Sequence, residues 1–221
     1  MSSSTGCSRY SFHICTLMLQ SIKSLIMWAF SLLLVLTLAS CGKYPDVVSN
    51  SKDMAKLDSS TTAIRARELQ DSSIEEVQKF RDLDWLDFCS GWGVCEAGIT
   101  DIGVQVLSEL DLPYLTTLNL DHNDSITDRA LHYVSSMGSI ETLTLSSCQS
   151  ITGRGVSELS GLPKLENLVL DGCKSILASE VSLLDGFPSL RRLYVVDCTG
   201  FDETFSRSLA LERPLLRVTY K

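Results

Sequence analysis

Cys148, Cys173 and Cys198 recur at an interval of 25 residues, and Cys89 and Cys95 flank a short glycine-containing stretch. Thiolates can ligate a metal, attack an electrophile or pair as a disulfide. A metal site wants Cys and His clustered at short, mixed spacings, and a constant interval of 25 does not supply that. The column is therefore expected to be structural, with each thiol a small, weak donor in a buried turn. A metal site or a redox pair is the alternative. Cys89 and Cys95 differ, because an oxidising compartment would allow a disulfide across their short loop; two free thiols are the other outcome. His122 and His132 read as a turn residue and a solvated helix residue. No nucleophile, acid and base can be assembled, and neither G-x-S-x-G nor a phosphate-binding glycine loop occurs. The chain is expected to have no catalytic residue, metal ligand or cofactor.

The elements that place these cysteines are visible as self-similarity. Four gap-free segments start at Leu115, Ile140, Leu165 and Leu190, and a fifth start falls at Leu215. The second reads IETLTLSSCQSITGRGVSELSGLPK. Its Leu143 and Leu145 lie two apart, which is strand alternation. Its Val156, Leu159 and Leu162 lie three apart, which is the stripe of a short helix. Each unit is thus a strand, a turn and a helix that cannot bury its apolar face alone. Stacking puts the strands in a parallel sheet and the helices outside it. Glycine and proline punctuate the returns, as at Gly161 with Pro163 and Gly186 with Pro188. The expected fold is an α/β solenoid, with short parallel strands on the concave side and helices on the convex side.

The repeat continues upstream in degraded form. Leu83, Leu86 and Phe88 match the strand, and Ile99, Thr100 and Asp101 match Ile126, Thr127 and Asp128. Leu69, Ile74, Val77 and Phe80 match the back half of one more unit, with Ser73 and Glu76 as a capping box at its helix start. This half-unit is expected to close the core. At the other end the unit from Leu190 weakens at Ser206 and Glu212. Leu215, Val218 and Tyr220 then face inward from a closing strand. Residues 44–68 have mixed polarity and no sustained period, so they read as a tether.

Residues 25–40 form an uncharged run, LIMWAFSLLLVLTLAS, preceded by Lys23. Sixteen residues fall short of the roughly 20 that span a bilayer as a helix, and the layout is that of a signal peptide. The run ends Leu38-Ala39-Ser40-Cys41, which resembles the lipobox of bacterial lipoproteins. The resemblance implies cleavage before Cys41, a diacylglycerol on its thiol and an acyl chain, such as palmitate, on its new amino group. Gly42 resembles the outer-membrane-sorted pattern. The long stretch before the run leaves two starts open, Met1 and Met18.

At LxxLxLxxCxxITxxGV the chain resembles the cysteine-containing leucine-rich repeats of ubiquitin-ligase receptor proteins and many bacterial proteins. The second Cys of that unit is missing here. GLPKL resembles a variant common in bacterial repeat proteins, and a fainter likeness runs to mitochondrial assembly and coupling-factor-like proteins. The resemblance implies the solenoid fold and a protein-binding role; one solenoid hosts unrelated partners.

The domain layout is a lipoprotein-type signal over 1–40, a tether over 41–68 and the repeat domain over 69–221. A net charge of -8 gives no general attraction for nucleic acid. The concave face is made by the non-apolar strand positions, polar or acidic in the first three rows. The fourth carries Arg191, Arg192, Tyr194 and Val196, and Arg217 continues it. Arg and Tyr are frequent at binding hot spots, so Arg192, Tyr194, Val196 and Arg217 are the expected partner-binding residues; an ordinary solvated sheet face is the bland alternative. The expected function is a membrane-anchored protein-binding scaffold or adaptor of the cell envelope. The alternatives are an intracellular or organellar assembly adaptor and an envelope enzyme supported by repeats.

Overall fold

The structure is a computed structural model, and it describes residues 45–67, 69–88, 98–177, 179, 186–199 and 201–220. Cys41, Cys89 and Cys95 lie outside the described residues. The repeat-bearing unit is Pro45–Lys221. Within it, β1 (Asp46–Val48), β2 (Ala63–Ala66), β3 (Trp85–Asp87), β4 (Thr117–Asn119), β5 (Thr142–Thr144), β6 (Asn167–Val169), β7 (Arg192–Tyr194) and β8 (Arg217–Thr219) form one sheet in that order. Every neighbouring pair is parallel. The convex elements are α1 (Ser51–Lys56), a 3-10 segment (Asp71–Lys79), α2 (Asp101–Glu109), α3 (Asp128–Val134), α4 (Gly153–Glu158) and α5 (Glu203–Glu212). This is the expected α/β solenoid.

The register shows why the period matters. Ile64, Leu86, Leu118, Leu143, Leu168, Leu193 and Val218 are consecutive partners across the sheet. All but Val218 are buried, and together they form one continuous apolar row. Val104 and Leu107 of α2, Leu131 and Val134 of α3, and Val156 and Leu159 after them close the row from the convex side. From Leu118 on, a constant 25-residue interval keeps the inward position inward at each turn, because one residue of slip would reverse a strand's faces.

Three expectations are corrected. The tether does not extend to residue 68: Asp46–Val48 and Ala63–Ala66 are the first two strands, and Val48, Met54 and Ile64 are fully buried. A three-residue strand carries too short an alternation to register as a period. The segment from Leu69 is therefore the back half of the unit begun by β2, and β1 with α1 closes the core instead. Ser73 and Glu76 do not make a capping box. The segment there is 3-10 with no side-chain cap, and Ser73 Oγ pairs with Ser51 Oγ at 2.7 Å. Lastly, Leu215 is 82% exposed whereas Leu216 is buried. In this turn Leu216 N bonds to Arg213 O, while the equivalent bond one unit earlier runs from Leu190 N to Phe187 O. The tight turn closes one residue later, so the inward side chain moves by one.

Candidate interaction face and the devices that hold it

Two columns of side chains run across the concave side of the sheet. The first is Ala63, Trp85, Thr117, Thr142, Asn167, Arg192 and Arg217; the second is Arg65, Asp87, Asn119, Thr144, Val169, Tyr194 and Thr219. The middle of this face is closed and nearly neutral, with Thr117, Thr142, Thr144 and Val169 buried. Charge and aromatic surface collect at its ends. At the N-terminal end Arg65 Nε bonds Asp87 Oδ2 at 2.8 Å and its guanidinium lies over the Trp85 ring at 5.5 Å. That cluster was missed in the sequence because Arg65 fell within the presumed tether. The signal available was Trp85, which holds the Thr117 position of the repeat.

At the C-terminal end Arg192 and Arg217 are exposed and in register on adjacent strands, and Tyr194 is half-buried beside them. Arg192 Nη1 donates to Asn167 Oδ1 at 2.8 Å, and Asn167 Nδ2 donates to Thr142 Oγ1 at 2.9 Å. Val196 is elsewhere: it is a half-buried turn residue just beyond β7, with its N–H given to Asp171 Oδ1 at 2.8 Å. The structure thus brings Arg192, Tyr194 and Arg217 onto one surface and sets Val196 on its rim.

The rim acids are not free either. Asp121 Oδ1 accepts from Ser146 N at 2.6 Å, as Asp171 Oδ1 does from Val196 N two turns later. Burial pushes the Asp121 carboxyl up to about 7, against the opposing Ser146 N–H, with the Asp87 charge adding to the rise. Burial likewise pushes Asp171 up to about 6. Each acid is followed by a residue in the left-handed region, His122 (φ 61) and Gly172 (φ 72), which turns the chain off the sheet. Ser147 and Asp197 hold the same conformation at equivalent positions.

The cysteines stack as a column of donors. Cys148 Sγ bonds Leu120 O at 3.3 Å, Cys173 Sγ bonds Leu145 O at 3.0 Å and Cys198 Sγ bonds Leu170 O at 2.9 Å. Each thiol satisfies a strand-end carbonyl of the preceding unit. Asn123 starts the column through Nδ2 to Leu120 O at 2.9 Å. Burial raises all three thiols, Cys173 to about 12 and Cys198 to about 11. Such thiols supply little thiolate for ligation or attack. Among the described residues no group of three or more His, Cys, Asp or Glu is placed to hold a metal ion.

The helix starts hold a second ladder that sequence reading did not assign. Thr127 N and Oγ1 both bond the Asp101 carboxylate at 2.8 Å, and Thr152 N and Oγ1 both bond the Asp128 carboxylate at 2.7 Å. Thr100 makes the same pair of bonds to Asp71. The recurring Ile-Thr-Asp was the available signal. The ladder stops where Gly153 replaces the acid and Leu177 the threonine.

The fold defined by this register is the leucine-rich-repeat solenoid. A family model described as "Leucine Rich repeat" matches residues 111–132 and 139–160. Among solved structures the chain is similar to internalin C2 from Listeria monocytogenes, with TM-score 0.52 and 24% identity, covering 73% of this chain and 62% of that one. It is also similar to a chain of the Rad7 and Elc1 complex in yeast, with TM-score 0.50 and 18% identity, covering 76% of this chain and 44% of that one. The likeness thus spans under two thirds of either relative and concerns the fold. No curated protein matches the sequence.

Proposed function

We propose that this protein is a binding scaffold that engages a protein partner on the concave face of its sheet, with the C-terminal rows as the contact. The observation that carries this reading is the asymmetry of that face. Its centre is closed by buried threonines, while exposed Arg192 and Arg217 flank half-buried Tyr194 at one end. A rigid parallel sheet presents these side chains at fixed spacing, which lowers the ordering cost of contact. The yeast relative was solved as a complex of two proteins, which fits a solenoid used for protein contact. In this reading the solenoid is a binder and not an enzyme.

The finer reading is a cell-envelope lipoprotein tethered through a lipid on Cys41. It rests on the Leu38-Ala39-Ser40-Cys41 sequence at the end of an apolar run. Mass measurement of the mature N-terminus should show two added lipid groups at Cys41, and globomycin should block cleavage. An unprocessed N-terminus would remove the anchor and leave the binder as an intracellular or organellar adaptor.

The face is tested with a photoreactive phenylalanine analogue at Tyr194, compared with the same group at exposed Arg154 on convex α4. A discrete adduct from the Tyr194 position alone is expected in native extracts. An adduct from Arg154 alone would place the contact on the helices and overturn the reading.

A further inference from the structure

We infer that the C-terminal end of the concave face takes an acidic peptide segment, with one carboxylate shared by Arg192 and Arg217 and an apolar side chain laid on Tyr194. The inference rests on the binding-face reading above and adds the chemistry of the partner. Arg192 and Arg217 are direct register partners on parallel strands, whose axes lie about 4.8 Å apart. Like charges placed directly opposite each other in a sheet are unfavourable. Among the described residues neither has a carboxylate within ion-pair distance. The adjoining Arg191, by contrast, has Glu166 at 3.6 Å.

Arg192 is also pre-set. Its Nη1 is held by Asn167, itself held by Thr142. The guanidinium therefore spends little freedom on meeting an anion. Two planar forks side by side match the oxygens of a carboxylate. Tyr194 lies two residues along the same face from Arg192, and its register neighbour Val169 is buried. An apolar side chain adjoining the carboxylate would thus meet an aromatic surface with an apolar flank. The chain as a whole carries -8, so an acidic partner is repelled generally and drawn to this end, which favours one docking orientation.

The test uses the full repeat-bearing protein and fluorescein-labelled ten-residue peptides of alternating Glu and Leu, Gln and Leu, or Lys and Leu. Fluorescence anisotropy should show the Glu peptide binding at least about tenfold tighter than the Gln peptide, with affinity falling as salt rises. The Arg192→Gln/Arg217→Gln protein should lose that preference while its melting temperature stays within a few degrees, because both side chains are exposed. Arg192→Lys/Arg217→Lys should keep part of it. Equal binding of Glu and Gln peptides, or retention of the preference by the Gln variant, would overturn the inference. Concentration-dependent self-association abolished by the Gln variant would overturn it too, by making a second copy the occupant. If the peptides fail while the Tyr194 adduct still forms, the partner's chemistry is wrong and the face stands. If both fail, the face itself is wrong.

Discussion

Thr152 and Asp128 are tied by two hydrogen bonds across successive turns of the solenoid, N to Oδ1 and Oγ1 to Oδ2, each 2.7 Å. The carboxylate sits in the first turn of α3 and holds the residue that opens α4. It therefore fixes the spacing of two helices and supplies negative charge near both helix starts, where the dipole favours it. Asp128→Ala should destabilise by about 2–4 kcal/mol, since two charge-assisted bonds go and a half-buried N–H loses its partner. Asp128→Asn should cost roughly half as much. Chemical denaturation is the measurement, and a loss below about 0.5 kcal/mol for the alanine variant would reduce the ladder to ornament.

Gly155 is constrained by the same carboxylate. A Cβ there would lie 2.2 Å from Asp128 Oδ1 and 2.9 Å from Asp128 Cα. Alanine normally favours a helix over glycine by about 1 kcal/mol, but overpacking against fixed backbone costs about 1–3 kcal/mol. Gly155→Ala should thus be net destabilising by on the order of 1 kcal/mol. The penalty should shrink in the Asp128→Ala background, which a double-mutant cycle reads directly.

The cysteine column predicts silence toward thiol reagents. Cys148 and Cys173 are fully buried and bonded to carbonyls, and burial holds their thiols well above the ordinary range. In the native protein at neutral pH both should react with an aromatic disulfide reagent only at the rate of unfolding, and at once in denaturant. Cys173→Ala should cost about 1 kcal/mol by removing one of two donors to Leu145 O, which keeps only Cys148 N at 3.3 Å. Cys173→Ser should cost less, because a hydroxyl can still donate.

Asp121 gives stability a pH slope of known sign. Its folded value of about 7 lies above the unfolded carboxylate range near 3.9. Between those values the folded chain binds more protons than the unfolded chain, so stability falls as pH rises through about 4 to 7 and levels off above. Asp171 adds the same sign over about 4 to 6. Asp121→Asn keeps an acceptor for Ser146 N and removes the charged form. Its melting temperature should match or exceed the parent's at pH 8. The slope it removes should be worth on the order of 2 kcal/mol once solvent screening is allowed for. Thermal melts from about pH 4.5 to 8 check this, and an unchanged slope in the variant would count against Asp121 as its source.

What the sequence by itself determined was whatever repeats. Leu118, Leu143, Leu168 and Leu193 lie 25 apart and end in one buried row, because equal spacing and period-two strands admit one register. The cysteines at a shared offset likewise had to stack, and their structural role followed from that. The tertiary structure decided what has no period. Arg65, in a segment without a pattern, meets Asp87 and Trp85 only because β2 adds to the sheet beside β3. Thr152 finds Asp128, 24 residues earlier, because stacking sets one helix start against the next. Arg192 and Arg217, by contrast, share one repeat offset, so their stacking was legible in the interval of 25. Local spacing shows that both sit on outward strand positions. Only the tertiary structure shows that neither has a carboxylate within ion-pair distance among the described residues, and that singles out this end of the solenoid.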